Sequence, residues 1–69
     1  MVEVFKTNVQ EAISATMLIQ CLSKHFATSR VTFDLDDCDK ILRIEGLEIC
    51  PKKVKDLVGA AGFECAVLE

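Results

Sequence analysis

The residues able to do chemistry in this chain are few: four cysteines, at positions 21, 38, 50 and 65, and one histidine, His25. A structural zinc site or a dithiol redox pair needs thiols a few positions apart, so that one ion or one bond is reached from a single turn of chain. No C-x-x-C occurs and no zinc-finger spacing is present. Cys50 stands directly before Pro51, Lys52 and Lys53. A helix N-terminus and two nearby ammonium groups favour a thiolate, which makes Cys50 the residue at which a reactive thiol is expected. His25 falls at the same end of the domain if the two helices run antiparallel, and a Cys50–His25 pair could support nucleophilic or redox chemistry if the atoms met. The simpler reading makes Cys50 a helix cap and His25 a surface residue at a helix C-terminus, where positive charge is favoured. Catalysis would also need an orienting group and a pocket, so no catalytic residue is assigned and the chain is not expected to be an enzyme.

Asp36-Asp37-Cys38-Asp39 is the other concentration of polar chemistry, and with Asp34 and Glu11 it could gather a hard or borderline cation. The glycine and terminal glutamate of a calcium-binding EF-hand loop are not in place. An acidic turn of this kind also serves as a solvated loop tip that discourages edge pairing.

The elements that must position these residues follow from apolar periodicity. Val2 and Val4 alternate with Glu3 and run through Phe5 and Lys6 as a strand that ends at Thr7-Asn8. Ala15, Leu18, Ile19, Leu22 and Phe26 then line one face of a helix expected over residues 9–26. Val31, Phe33 and Leu35 predict a second strand, the acidic turn follows, and Leu42 with Ile44 predicts a third. Pro51 suits the first position of a second helix, because its missing N–H would have no partner there. That helix carries Val54, Leu57, Val58 and Ala61, and Gly62 is placed to take the left-handed conformation that ends it. Phe63, Cys65 and Val67 close with a fourth strand.

Strands and helices in the order βαββαβ have one common compact solution: a ferredoxin-like α+β fold, a four-stranded antiparallel sheet of order 4-1-3-2 with both helices on one face. Residues 1–69 form one domain, since a chain of this size has room for one modest core. The open face is expected to show Glu3, Phe5, Thr32, Asp34, Ile41, Arg43, Glu45, Glu64, Ala66 and Leu68. Its apolar members, Phe5, Ile41, Ala66 and Leu68, are either a docking or self-association surface or ordinary scattered surface apolars. Cys65 points toward the helices as a small hydrophobe, and Cys21 flanks the first helix stripe, partly buried. Cys38 and Cys65 belong to opposite edges of the sheet, three inter-strand steps of roughly 4.8 Å apart, so both are expected to be free.

Composition narrows the partners. Eight basic residues against eleven acidic ones give a formal net charge of -3, without a Lys or Arg block and without Trp or Tyr. Nucleic acid, which needs a cationic track and commonly aromatic platforms, is not an expected partner. The opening residues read as a strand rather than a signal peptide, and no apolar run approaches the roughly 20 residues of a membrane span. No membrane partner is therefore expected, and the expected compartment is the cytoplasm, with reduced thiols.

Taken together, the helix-one stripe, the strand alternations and the closing Ala60-Ala61-Gly62-Phe63, similar to the A-G-Y or A-G-F near that family's C-terminus, resemble a heavy-metal-associated domain. This is the unit of soluble copper chaperones and of the N-termini of metal-pumping P-type ATPases, and the resemblance spans nearly the whole chain. It implies a metal site in the loop between the first strand and first helix, where the family carries M-T-C-x-x-C and two thiolates grip a soft ion such as Cu(I). Matching the helix stripes puts Thr7 on the motif threonine, Asn8 on the first cysteine and Glu11 on the second. Neither is a thiol. Asn8 as N-cap with Glu11 three residues on reads instead as a capping box. The resemblance thus implies a small cytosolic binding module whose metal binding is absent or altered, any ion (Cu or Zn) falling to Asn8, Glu11 and Cys38. The alternative is a protein-interaction or homodimerisation module working through the open sheet face.

Overall fold

The computed structural model describes residues 1–68. In chain order the elements are β1 Val2–Thr7, α1 Ala12–His25, β2 Arg30–Asp34, β3 Ile41–Glu45, α2 Pro51–Ala60 and β4 Cys65–Val67. The strands form a single antiparallel sheet of order β2-β3-β1-β4, the expected 4-1-3-2 read from its other edge. Ala15, Leu18 and Leu22 of α1 and Val54 and Val58 of α2 join Phe5, Val31, Leu42 and Ile44 in one buried cluster. Both helices therefore cover the same sheet face, which is the ferredoxin-like α+β arrangement. The helices bury most of the expected stripes, because residues three and four apart share a helix face, but Ala61, expected in the α2 stripe, is exposed as the residue that caps the helix C-terminus.

Strand β1 sits in the opposite phase to the one expected. Phe5 pairs with Leu42, which pairs in turn with Phe33, so all three point toward the helices. Phe5 is fully buried. Val2, Val4 and Lys6 share the open face instead, and Glu3 joins Phe5 on the helix side, half exposed. Two adjacent apolar residues, Val4 and Phe5, leave the strand's phase open, and the core takes the larger side chain because burial scales with apolar area. Ile41 remains on the open face, opposite Asp34, but is buried all the same, at 7% exposure, on an inner strand flanked by β1 and β2. Phe5 and Ile41 are thus not surface anchors. Ala66 and Leu68 stay exposed, and Val2 joins them.

Helix α1 begins three residues later than its expected start at Val9. The physical reason lies in Val9, which is drawn completely into the core as a loop residue and holds residues 8–11 out of the helix. The end of α2 is as expected. Gly62 takes φ 95°, its N–H reaches the Gly59 carbonyl at 3.0 Å, and the Phe63 N–H reaches Val58 at 3.2 Å. This is the paired hydrogen bonding of a Schellman motif.

Candidate functional site

The end of the sheet where β1 passes into α1 carries the residues singled out by type and spacing. Thr7 is its hub. Its N–H donates to the Asp39 carbonyl at 3.0 Å, its hydroxyl donates to the Lys40 carbonyl at 2.6 Å, and the same oxygen accepts from the Val9 N–H at 3.2 Å. These bonds weld the β1–α1 loop to the β2–β3 hairpin on one flank.

Asn8 welds the other flank. Its Oδ1 accepts from the Glu64 N–H at 2.8 Å, tying the loop to the chain entering β4. The capping box therefore does not form. Glu11 is itself the N-cap of α1, in extended conformation, without a side-chain cap hydrogen bond, and the first turn of α1 holds no acidic residue. A long-range acceptor role for Asn8 has displaced the local one, because the amide oxygen cannot lie at Glu64 and over the helix start at once.

The hairpin beside this loop is shaped by its own carboxylates. Asp34 accepts from the Asp36 N–H at 3.2 Å and Asp37 from the Asp39 N–H at 2.9 Å, while Lys40 adopts a left-handed φ of 49° and its Nζ donates to the Leu35 carbonyl at 2.9 Å. Such side-chain bonds to the backbone two residues on are how aspartate shapes a turn. One donor atom each from Asp37, Cys38 and Asp39 lie within 4.8 Å of one another. Glu11 is not part of that group.

Among the described residues all four cysteines are free; Cys38 and Cys50 are exposed, and Cys21 and Cys65 half-buried. Cys65 pairs with Thr7, so it stands at the same end as Cys38 but on the opposite edge strand. Burial pushes its thiol up to about 11, against the pull of the nearby Lys55 ammonium. At neutral pH it is a protonated packing group and a poor nucleophile. Cys50 caps α2 without a side-chain cap hydrogen bond, His25 is exposed, and no hydrogen bond joins the two among the described residues.

Asn8 and Glu11, to which the resemblance assigned an ion, do not fit a soft monovalent one. Asn8 offers a neutral oxygen already engaged with the backbone, and Glu11 offers a hard carboxylate. What the sequence reading missed lies next to this loop. An open groove of about 580 Å³ runs along β4, lined among others by Lys6, Asn8, Lys55, Gly59 and Cys65. Lysines from β1 and α2 far apart in sequence meet there, which no spacing rule could have announced. A second, more enclosed and largely apolar groove lies between α1 and the chain leaving α2, bounded by Met17, Leu18, Cys21, Ala61 and Phe63. Compared with protein-family models, with curated proteins and with solved structures, the chain finds no match.

Proposed function

We propose that this chain is a small, non-enzymatic binding module of heavy-metal-associated descent, in which the loop that grips a soft ion in that family has become a structural clasp. The observation that carries this reading is the Asn8 Oδ1 to Glu64 N–H bond, with the Thr7 bonds beside it, because it occupies the first ligand position with an internal hydrogen bond. Metal handling in such a module passes to Cys38. An exposed thiol flanked by two carboxylates is a mixed donor set of the kind that suits Zn(II) better than Cu(I). Four unbridged cysteines agree with a reducing compartment, and the cytoplasm is the compartment this reading assigns.

The test is a titration of the reduced protein with Zn(II) and, separately, Cu(I), followed by backbone amide shifts. Zn(II) is expected to move the amides of residues 36–40 and to lose this effect in Cys38→Ser, with Cu(I) held no more tightly than by a free thiol. Zn(II) binding that persists in Cys38→Ser, or the absence of any binding, overturns the assignment to Cys38. Replacing Asn8 and Glu11 together by cysteine restores the C-x-x-C spacing and is expected to create a Cu(I) site that the parent lacks.

A second reading, an interaction or homodimerisation module, draws on the apolar residues left outside. Val2 is 55% and Leu68 40% exposed on the open sheet face, where they replace Phe5 and Ile41 as anchors. Light scattering at rising concentration tests it: a dimer that dissociates in Val2→Ser/Leu68→Ser supports this reading, and a monomer throughout removes self-association.

A further inference from the structure

The outer edge of β4 has backbone groups to offer. The Glu64 N–H turns toward Asn8 and the Leu68 N–H toward the Val4 carbonyl, at 2.8 Å and 2.9 Å, so the even-numbered residues of this segment face β1. Alternate residues of a strand direct their N–H and C=O groups to opposite edges. Those of Cys65 and Val67 therefore face away from β1, along an edge beside which the sheet has no further strand among the described residues. An uncovered edge of this kind is a template for an added strand.

Space and charge are present at the same place. The groove beside β4 is open, and Gly59 contributes no side chain to it; even an added Cβ there would meet nothing within 4 Å. Lys6 lies on the open face of the sheet, next to Ala66 in register, while Lys55 reaches the groove from α2 on the helix side. The effect of the Lys55 charge on the Cys65 thiol places that ammonium within electrostatic reach of the strand. In a chain of net charge -3, the described lining of this groove holds two lysines against the one carboxylate of Glu64, which makes it a local cationic site. An extended segment laid there turns successive side chains to opposite faces, so carboxylates on either face meet a lysine. The other free edge, β2, starts at the exposed Arg30 but leads into Asp36, Asp37 and Asp39, a less favourable charge for the same ligand.

We propose that the free edge of β4 captures an acidic peptide in extended form, which pairs with Cys65 and Val67 and sets its carboxylates against Lys6 and Lys55. Charge complementarity selects the occupant and main-chain hydrogen bonds hold it. The inference is independent of any ion at Cys38.

The experiment adds a blocked peptide of repeating Glu-Glu-Val-Val, which projects carboxylates from both faces when extended and is about eight residues long to match a typical strand, to the isotopically labelled full chain. Amide shifts centred on Cys65 and Val67, with slowed hydrogen exchange at both, are the expected result. Lys6→Glu/Lys55→Glu is expected to raise the Kd for this peptide about tenfold and to favour the corresponding Lys-Lys-Val-Val peptide instead. Val67→Pro removes an outward N–H that no ladder bond uses and is expected to abolish binding while the other amide resonances stay dispersed. Shifts centred on β2, an unchanged Kd in the lysine double variant, or absence of binding at millimolar peptide overturns the proposal. So does the same shift pattern produced by raising protein concentration alone, which would make a second copy the occupant.

Discussion

At the scale of single residues, Asn8 decides what the first loop is. A side chain that could have closed its own helix start instead accepts from Glu64, more than fifty positions away in the chain. Asn8→Ala is expected to lower unfolding free energy by about 1 kcal/mol, the usual net worth of a hydrogen bond. Asn8→Asp, which keeps an acceptor there, is expected to lose less. Glu11→Ala is expected to be nearly neutral because Glu11 makes no cap bond. Urea denaturation of the three variants measures this, and a larger loss from Glu11→Ala than from Asn8→Ala would restore the capping box. Cys65 carries the second residue-scale prediction. Its thiol is raised from 9.0 to about 11 by burial, so the folded state holds this proton more tightly than the unfolded chain does. Its contribution to stability is complete below pH 9.0 and is lost as pH rises through about 11. Cys65→Ser is expected to flatten that part of the stability profile. At neutral pH iodoacetamide should label the exposed Cys38 and Cys50 well before Cys65.

At the scale of elements, the two helices show opposite use of their ends. Helix α2 starts with Pro51 at its first turn and finishes on the Schellman bonds around Gly62. Because Gly62 holds φ 95°, Gly62→Ala is expected to cost about 1 kcal/mol through the left-handed strain of a Cβ, although nothing nearby would clash with it. Helix α1 begins with its amides uncapped by any side chain, so Glu11→Ser is expected to stabilise the protein by up to ~1 kcal/mol, read as a higher urea midpoint. Hairpin and loops are tighter. An added Cβ at Gly46 would run into the Ser29 side chain, and Gly46→Ala is expected to cost about 1–3 kcal/mol by overpacking, part of which Ser29→Gly should return. The two helices, their stripes apart from the exposed Ala61, and the glycine stop were readable from spacing, since these depend on neighbours within one or two turns. The phase of β1 and the start of α1 were not, since Phe5 and Val9 reached their positions by competing for a core that the local sequence does not describe.

At the scale of the whole molecule, stability rests on one thin layer between the sheet and the two helices. Leu42 on an inner strand and Leu22 on α1 are both fully buried there. A domain of this length has on the order of 3–10 kcal/mol in hand, and either leucine truncated to alanine is expected to remove about 2–5 kcal/mol of it. Leu42→Ala is therefore expected to be partly unfolded at 37 °C, visible as lost amide dispersion, whereas Leu47→Ala, at a loop position 91% exposed, should leave the melting temperature unchanged. Periodicity, turn residues and Gly62 were enough to determine element order, because that rests on conformational preferences of the residues themselves, and the order βαββαβ then has one common compact packing, which carried sheet order and the side of the helices with it. The absence of paired thiols was equally plain from composition. Three matters waited for the assembled domain: which of Val4 and Phe5 faces inward, where the Asn8 oxygen goes, and that Lys6 and Lys55 flank one open edge. Each depends on residues that meet only in the assembled domain: the core that takes Phe5, the Glu64 amide that competes for the Asn8 oxygen in a bond worth about 1 kcal/mol, and the topology that brings β1 and α2 to one edge.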